Sequence, residues 1–302
     1  MINFQKLVNS KALMGLGIEA VRYIPTALSY PLINFLAGRL ARLKKLPLVQ
    51  SVRYNQQVAH GGRLEHKDLD KAVTEVFSYA GRCFVDLYRN FKSPVALQQK
   101  VVKNEDFERL IRLSHDKNFG AFLVMPHMSS FDLLFMAAAA RGFETKVLTL
   151  GKPSGGYQLQ NEIRRTTGLE IMPVSSYAHA KSIETLNKGG FILTAIDRPM
   201  PKQSRQLNFF GRPSPLPAGH IRMALETKVP ILVAAIHMND AGLYQLSLSK
   251  PIHMVRMSEP AEEIRYNAEI ILKIVENHIR SHPTQWQMYY PLWPNEKTSS
   301  KS

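Results

Sequence analysis

The stretch Ala121-Phe-Leu-Val-Met125-Pro126-His127-Met-Ser-Ser-Phe131-Asp132 decides how the chain is read. Ala121 to Met125 is an unbroken apolar run of strand length, as expected of a strand buried on both faces. Pro126 ends it, a short polar turn follows, and Phe131 to Ala140 has the composition of a buried helix. Strand, turn and helix in direct succession open a parallel α/β unit. In an open α/β sheet, ligands gather beyond the carboxyl ends of the strands, which is where His127 falls.

The same alternation extends outward. Val147 to Leu150, Phe191 to Ile196 and Ile231 to Ile236 are further apolar runs. Helical stretches lie between most of them: Gly156 to Thr167, Ala178 to Lys188 and His220 to Thr227. The expectation is a mostly parallel sheet sandwiched by helices. Leu243 to Leu248 alternates and predicts an extra edge strand. A last helix begins near Pro260, with Ser258 as its cap, and turns Ile264, Ala268, Ile271, Val275 and Ile279 inward. Toward the N-terminus, His66 to Phe91 carries apolar residues at helical spacing over several turns, and Glu105 to Ser114 is a shorter helix capped by Asn104. Pro199 to Ala218 is a long loop rich in proline, glycine and basic residues, a length that in a compact domain points to function.

Before the helices lies an uncharged segment from Tyr23 to Gly38, preceded by Glu19 and Arg22 and followed by Arg39, Arg42, Lys44 and Lys45. It is short for a membrane span and contains Pro25 and Pro31. It reads as a broken apolar segment lying in a membrane interface, or as a pair of ordinary packed helices. The domain boundaries that follow are residues 1–45 for a membrane-associating segment, 46–110 for a helical region, 111–296 for the α/β domain and 297–302 for a polar, disordered tail.

The composition narrows the partners. With 39 Lys and Arg against 24 Asp and Glu among 302 residues, the formal charge is +15. That favours an anionic membrane, a phosphorylated substrate, an acidic protein or nucleic acid. No nucleic-acid motif accompanies the charge, and the aromatics are not interleaved with the basic residues. The single cysteine, Cys83, excludes an internal disulfide and a thiolate-rich zinc site, and it reads as buried packing.

The chemistry-bearing pair is His127 and Asp132. On one continuous helix they would point in different directions. With His127 in the turn and Asp132 in the first helical turn, the carboxylate can fold back on the imidazole, and Ser129 or Ser130 can cap the helix. Such a pair removes a proton from a hydroxyl as it attacks an activated carbonyl. The same residues also read as a loop histidine and a capping aspartate, and H-x4-D by itself is a short pattern. Arg164 and Arg165 suit a phosphate, or form a solvated helix face. Lys202, Arg205 and Arg212 on the long loop suit lipid headgroups or an acidic carrier protein, or stand in solvent.

Several blocks resemble the lipid A biosynthesis acyltransferase family, within the wider group of glycerolipid acyltransferases bearing H-x4-D. In order they are His127-Met-Ser-Ser-Phe-Asp132, Asn161-Glu-Ile-Arg164-Arg165-Thr-Thr-Gly168, Gly189-Gly-Phe-Ile-Leu-Thr-Ala-Ile-Asp197-Arg198, Leu207-Asn-Phe-Phe210-Gly211-Arg-Pro and Glu276-Asn-His-Ile-Arg-Ser-His-Pro283-Thr-Gln-Trp286. The resemblance implies an α/β acyltransferase fold and an acyl thioester donor, acyl carrier protein or coenzyme A, with no further cofactor and no metal. It implies a (phospho)glycolipid hydroxyl as acceptor, at the cytoplasmic face of a bacterial inner membrane. It assigns catalysis to His127 and Asp132, and substrate binding to Arg164, Arg165, Asp197, Arg198, Phe210 and Gly211. Arg198 is a departure, since the family usually places glutamine there, and this leaves the acceptor open. Glycerophospholipids and phosphatidylinositol mannosides are alternative acceptors, and a basic membrane- or nucleic-acid-binding protein without turnover is the alternative from another class.

Other patterns lead nowhere. Gly15-Leu-Gly17-Ile-Glu-Ala20 spells a dinucleotide-like motif, but no strand precedes it. His278 and His282 have metal-ligand spacing but no third ligand in sequence. There is no G-x-S-x-G elbow and no P-loop. Trp286, Tyr289, Tyr290 and Trp293 either meet a membrane interface or pack on the sheet.

Overall fold

A computed structural model describes residues 11–149, 151–152, 155–200 and 205–293. Lys202 and the 297–302 tail lie outside these. In chain order the helices and strands are α1 (Lys11–Tyr23), α2 (Thr26–Ala41), α3 (Pro47–Ala59), α4 (His66–Asn90), α5 (Pro94–Gln99), α6 (Glu105–His115), β1 (Ala121–Met125), α7 (Phe131–Ala139), β2 (Thr145–Thr149) and α8 (Gly156–Arg165). There follow β3 (Glu170–Pro173), α9 (Ser176–Asn187), β4 (Phe191–Ala195), β5 (Leu207–Phe209), β6 (Arg212–Ser214), α10 (Gly219–Thr227), β7 (Ile231–Met238), β8 (Tyr244–Leu248) and α11 (Pro260–Ser281).

Six strands form one sheet in the order β3-β2-β4-β1-β7-β8. All neighbours are parallel except β8, which runs antiparallel to β7 at the edge. The α/β class and the extra edge strand expected from the sequence are therefore both present, and the antiparallel sense of that strand is added by the structure. β1 is buried along its whole length, as its continuous apolar run requires. Alternate β1 residues enter different cores. Ala121, Leu123 and Met125 join α4, α6 and α7 on one face, while Phe122 and Val124 join α9, α10 and α11 on the other.

Three local features differ from the sequence reading. Glu170–Pro173 is a parallel edge strand whose exposed first residue and four-residue length gave no apolar run to notice. Within the stretch read as a loop, β5 and β6 pair as a hairpin. Its turn residues, Phe210 and Gly211, have φ of 55° and 76°, the pattern of a tight type I′ turn. The helix caps also differ: Glu259 precedes α11 and Ser130 precedes α7, and neither side chain makes a capping hydrogen bond. The Asn104 side chain does cap α6, accepting from Phe107 N–H at 3.0 Å.

Among the described residues no helix is long and apolar enough to cross a membrane. α2 lies against α4, with the Tyr30 hydroxyl donating to the buried Asp86 at 2.7 Å. Asp86 also accepts from Lys100 and Tyr244, so one carboxylate ties α2, α4, the residue after α5, and β8 together. Leu16, Tyr23, Leu28, Leu32, Phe35, Leu36 and Leu43 remain exposed on or just after α1 and α2.

Candidate active site

β1 ends at Met125, and its neighbour β4 ends at Ala195 in direct register. The two chains therefore leave the sheet side by side, carrying His127 and Asp197. His127 Nδ1 is 2.6 Å from Asp197 Oδ1, and the His127 backbone N–H donates to Oδ2 at 2.8 Å. The indole N–H of Trp286 donates to the same Oδ2 at 2.8 Å. Asp197 is completely buried. Burial alone would raise its carboxyl, but the His127 ring and the hydrogen bonds from His127 and Trp286 outweigh it. They hold the group below the usual carboxylate range. An ionised Asp197 fixes the proton on Nδ1 and leaves Nε2 with its lone pair.

Asp132 is not that partner. It receives the Arg164 guanidinium in a two-pronged pair, Nε to Oδ1 at 2.7 Å and Nη2 to Oδ2 at 3.0 Å. A further Arg164 nitrogen donates to Asn161 at 2.9 Å. The expected folding-back of Asp132 onto His127 is thus replaced by a bridge from α7 to α8. The physical reason is that a carboxylate at the end of the adjoining parallel strand reaches the imidazole directly, while Arg164 takes up Asp132.

The turn after β1 is fastened from behind by the chain following α11. Ser129 N–H donates to the Gln285 carbonyl at 2.9 Å, Gln287 N–H to the His127 carbonyl at 2.8 Å, and the Gln287 side chain to the Ser129 carbonyl at 3.0 Å. Gln285 is in turn held by β7 through both Met238 backbone groups. Ser129 is left-handed, with φ of 50°, so this turn is strained and its outside fastening keeps it in place.

A cavity of about 720 Å³ opens at His127. Its polar wall includes Ser129, Asp132, Arg164, Tyr157, Arg198 and Tyr290, and its apolar wall is made by α2 and α4 with Ile33, Leu36, Phe77 and Phe84. Cys83 also faces it, with burial pushing the thiol up to about 11. Arg198 donates to the Tyr157 and Tyr290 hydroxyls at 2.9 and 2.6 Å.

The remaining sequence candidates stand elsewhere. Arg165 is exposed, and among the described residues it donates to the Ile171 carbonyl at 3.5 Å. Phe210 and Gly211 form the β5–β6 turn, where the Phe210 ring stacks on Trp286 at 5.8 Å and its N–H donates to buried Glu276. They support the residue that supports Asp197. Sequence reasoning missed Trp286, Gln287, Tyr157 and Tyr290 as site residues. Trp286 ends the last family-like block and its burial among other aromatics was foreseeable, but its bond to Asp197 was not. His282 stacks on His237 with ring centroids 4.1 Å apart.

A carboxylate-backed imidazole beside a largely apolar cavity, at the carboxyl ends of a parallel sheet, is equipped to take a proton from a hydroxyl near an aliphatic chain. Comparison with known proteins gives the class a family. The chain belongs to the bacterial lipid A biosynthesis acyltransferase family, whose pattern residues 4–295 match. It is similar to the phosphatidylinositol mannoside acyltransferase of Mycobacterium tuberculosis, 23% identical over 60% of this chain and 57% of that one. The protein of the same name from Mycolicibacterium smegmatis is 21% identical over 59% of this chain and 58% of its own length. The chain thus covers less than two thirds of these relatives. A solved 1-acyl-sn-glycerophosphate acyltransferase, PlsC, from Thermotoga maritima aligns with 82% of this chain and 95% of its own, at 19% identity and a TM-score of 0.35.

Proposed function

We propose that the protein moves a fatty acyl chain from an acyl thioester to a hydroxyl of a (phospho)glycolipid such as a lipid A precursor. The observation that carries this reading is the His127–Asp197 pair opening onto the apolar cavity. His127 Nε2 takes the acceptor's hydroxyl proton as its oxygen forms a bond to the thioester carbonyl. The C–S bond then breaks, and the imidazolium returns the proton to the departing thiolate. Asp197 keeps the imidazole in the required tautomer and stabilises its charged form. Asp132 serves by fixing Arg164 at the cavity wall.

The α2–α4 wall suits the acyl chain, since apolar side chains dominate it and its volume lies in the range of ligand pockets. An acyl carrier protein is the proposed donor, drawn by the +15 charge, with acyl-coenzyme A as the other source. The proposed location is the cytoplasmic face of an inner membrane, with the exposed apolar residues of α1 and α2 in an anionic interface. A second reading replaces the acceptor with a phosphatidylinositol mannoside or a glycerophospholipid, and the names of the mycobacterial relatives favour it.

The test uses purified protein, a long-chain acyl thioester and a panel of lipid hydroxyl acceptors. His127→Ala should abolish transfer without unfolding the protein, because the side chain is partly exposed at a strand end. Wild-type transfer by a folded His127→Ala variant would overturn the mechanism.

A further inference from the structure

Three charged side chains line the cavity apart from His127: Asp132, Arg164 and Arg198. Asp132 and Arg164 neutralise each other through paired hydrogen bonds. Arg198 has no carboxylate partner among the described residues. Its hydrogen bonds go to two phenol oxygens, and its guanidinium lies 4.2 Å from the ring centroid of Tyr290 and 5.3 Å from that of Tyr157. Burial and the neighbouring Tyr157 push the Tyr290 hydroxyl up to about 12, so it stays neutral and forms a hydrogen bond with the arginine rather than an ion pair. Among the side chains that line the cavity, Arg198 is therefore the cation with no carboxylate on its own nitrogens, since the buried Asp197 spends its oxygens on His127 and Trp286.

That charge is built in rather than free to swing away. Two hydrogen bonds and two aromatic faces order the guanidinium before any ligand arrives. Of its five N–H groups, two are taken by the tyrosines and three have no protein acceptor among the described residues. Arg198 directly follows Asp197, and Tyr290 lies on the same segment as Trp286. The elements that hold the base thus also hold this cation.

We propose that Arg198, clamped by Tyr157 and Tyr290, is the subsite for a phosphate group carried by a substrate. The proposal rests on the acyl-transfer reading for its biological meaning, but not for its test. A planar guanidinium offers parallel N–H donors to two phosphate oxygens, a geometry an ammonium lacks. Arg164, the residue that the sequence blocks suggest for a phosphate, already has its fork filled by Asp132. The phosphate belongs either to the acceptor lipid or to the pantetheine arm of the donor.

Equilibrium binding to the full chain separates these sources. One pair of probes is dodecyl phosphate against dodecyl maltoside, and the other is 4′-phosphopantetheine against pantetheine. The wild type should prefer the phosphate-bearing member of one pair by roughly 10- to 100-fold, as charged hydrogen bonds imply. The pair that shows the preference identifies the source. Arg198→Gln should erase it. Arg198→Lys, which keeps the charge and so guards against loss of the fold, should lose most of it. No preference in the wild type, or an undiminished one in either variant, would overturn the proposal. Transfer activity is scored separately: His127-dependent transfer with a preference indifferent to Arg198 sinks this inference alone. A wild type that binds phosphate through Arg198 yet transfers no acyl group sinks the functional reading alone.

Discussion

At the scale of single residues, the two carboxylates near His127 have separable duties. Asp197→Asn keeps the shape and the Trp286 bond but removes the charge that orients the imidazole. It should lower kcat by on the order of 10³- to 10⁴-fold with little change in KM. Asp132→Asn leaves Arg164 without its ion-pair partner at a site where the two side chains are only 14% and 11% exposed. Its main effect should be on stability, a loss of about 3 kcal/mol by urea denaturation. If Asp132→Asn proved the more damaging to kcat in folded protein, the assignment of Asp197 would be wrong. The sequence led to His127 because a buried strand, a proline and a turn are local signals. It misassigned the partner because H-x4-D also is local, whereas Asp197 reaches His127 through the β1–β4 register, a relation between residues 70 positions apart.

At the scale of elements, that register depends on a close backbone crossing. Gly189 has φ of 74°, and a Cβ built there would lie 1.9 Å from the Lys117 carbonyl oxygen. Gly189→Ala therefore meets both a left-handed backbone and a collision with main chain. A loss of about 3 kcal/mol is expected in chemical denaturation, with transfer falling as β4 shifts. A near-neutral effect would mean the crossing is looser than the structure has it. The long apolar runs and helical periodicities that built this core were plain in the sequence. β3 and the β5–β6 hairpin were not, because strands of three or four residues are too short to display a period.

α10 brings an acid-sensitive point. His220 is 4% exposed, its Nε2 has no hydrogen-bond partner, and burial lowers its pKa to about 3. The folded state keeps the ring neutral, while the unfolded chain takes up a proton near pH 6.5. Stability should therefore fall as pH drops below about 6.5, and keep falling until the folded value near 3 is reached. His220→Phe retains a ring and removes the titration. Urea midpoints measured at pH 7 and pH 5 should differ less for this variant than for the wild type. An unchanged difference would place the acid sensitivity elsewhere.

At the scale of the molecule, the question is what covers the outer side of α2. Its inner side is committed: Ala37 and Ala41 are buried, and Ile33 lies so close to Gly81 that a Cβ there would collide with it. Its outer side carries Leu28, Leu32 and Phe35, respectively 59%, 40% and 58% exposed, which is costly in water. The helix has 16 residues with Pro31 inside it, too short to span a bilayer but suited to lying along its surface. Arg39 and Arg42 follow at its end, where lipid phosphates would be met. Removing residues 1–45 is a poor test, because Leu36, Ala37 and Leu40 also wall the cavity and the deletion would open it. The triple variant Leu28→Ser, Leu32→Ser and Phe35→Ser changes the outer side alone. Its thermal midpoint should stay near that of the wild type. Its partition onto vesicles containing phosphatidylglycerol, read by flotation, should fall by roughly 100-fold, from about 1 kcal/mol lost per side chain. High salt should weaken wild-type binding only in part, since the apolar contribution is not screened. Undiminished flotation of the folded triple variant would remove α2 as the membrane contact and leave its exposed side to another partner.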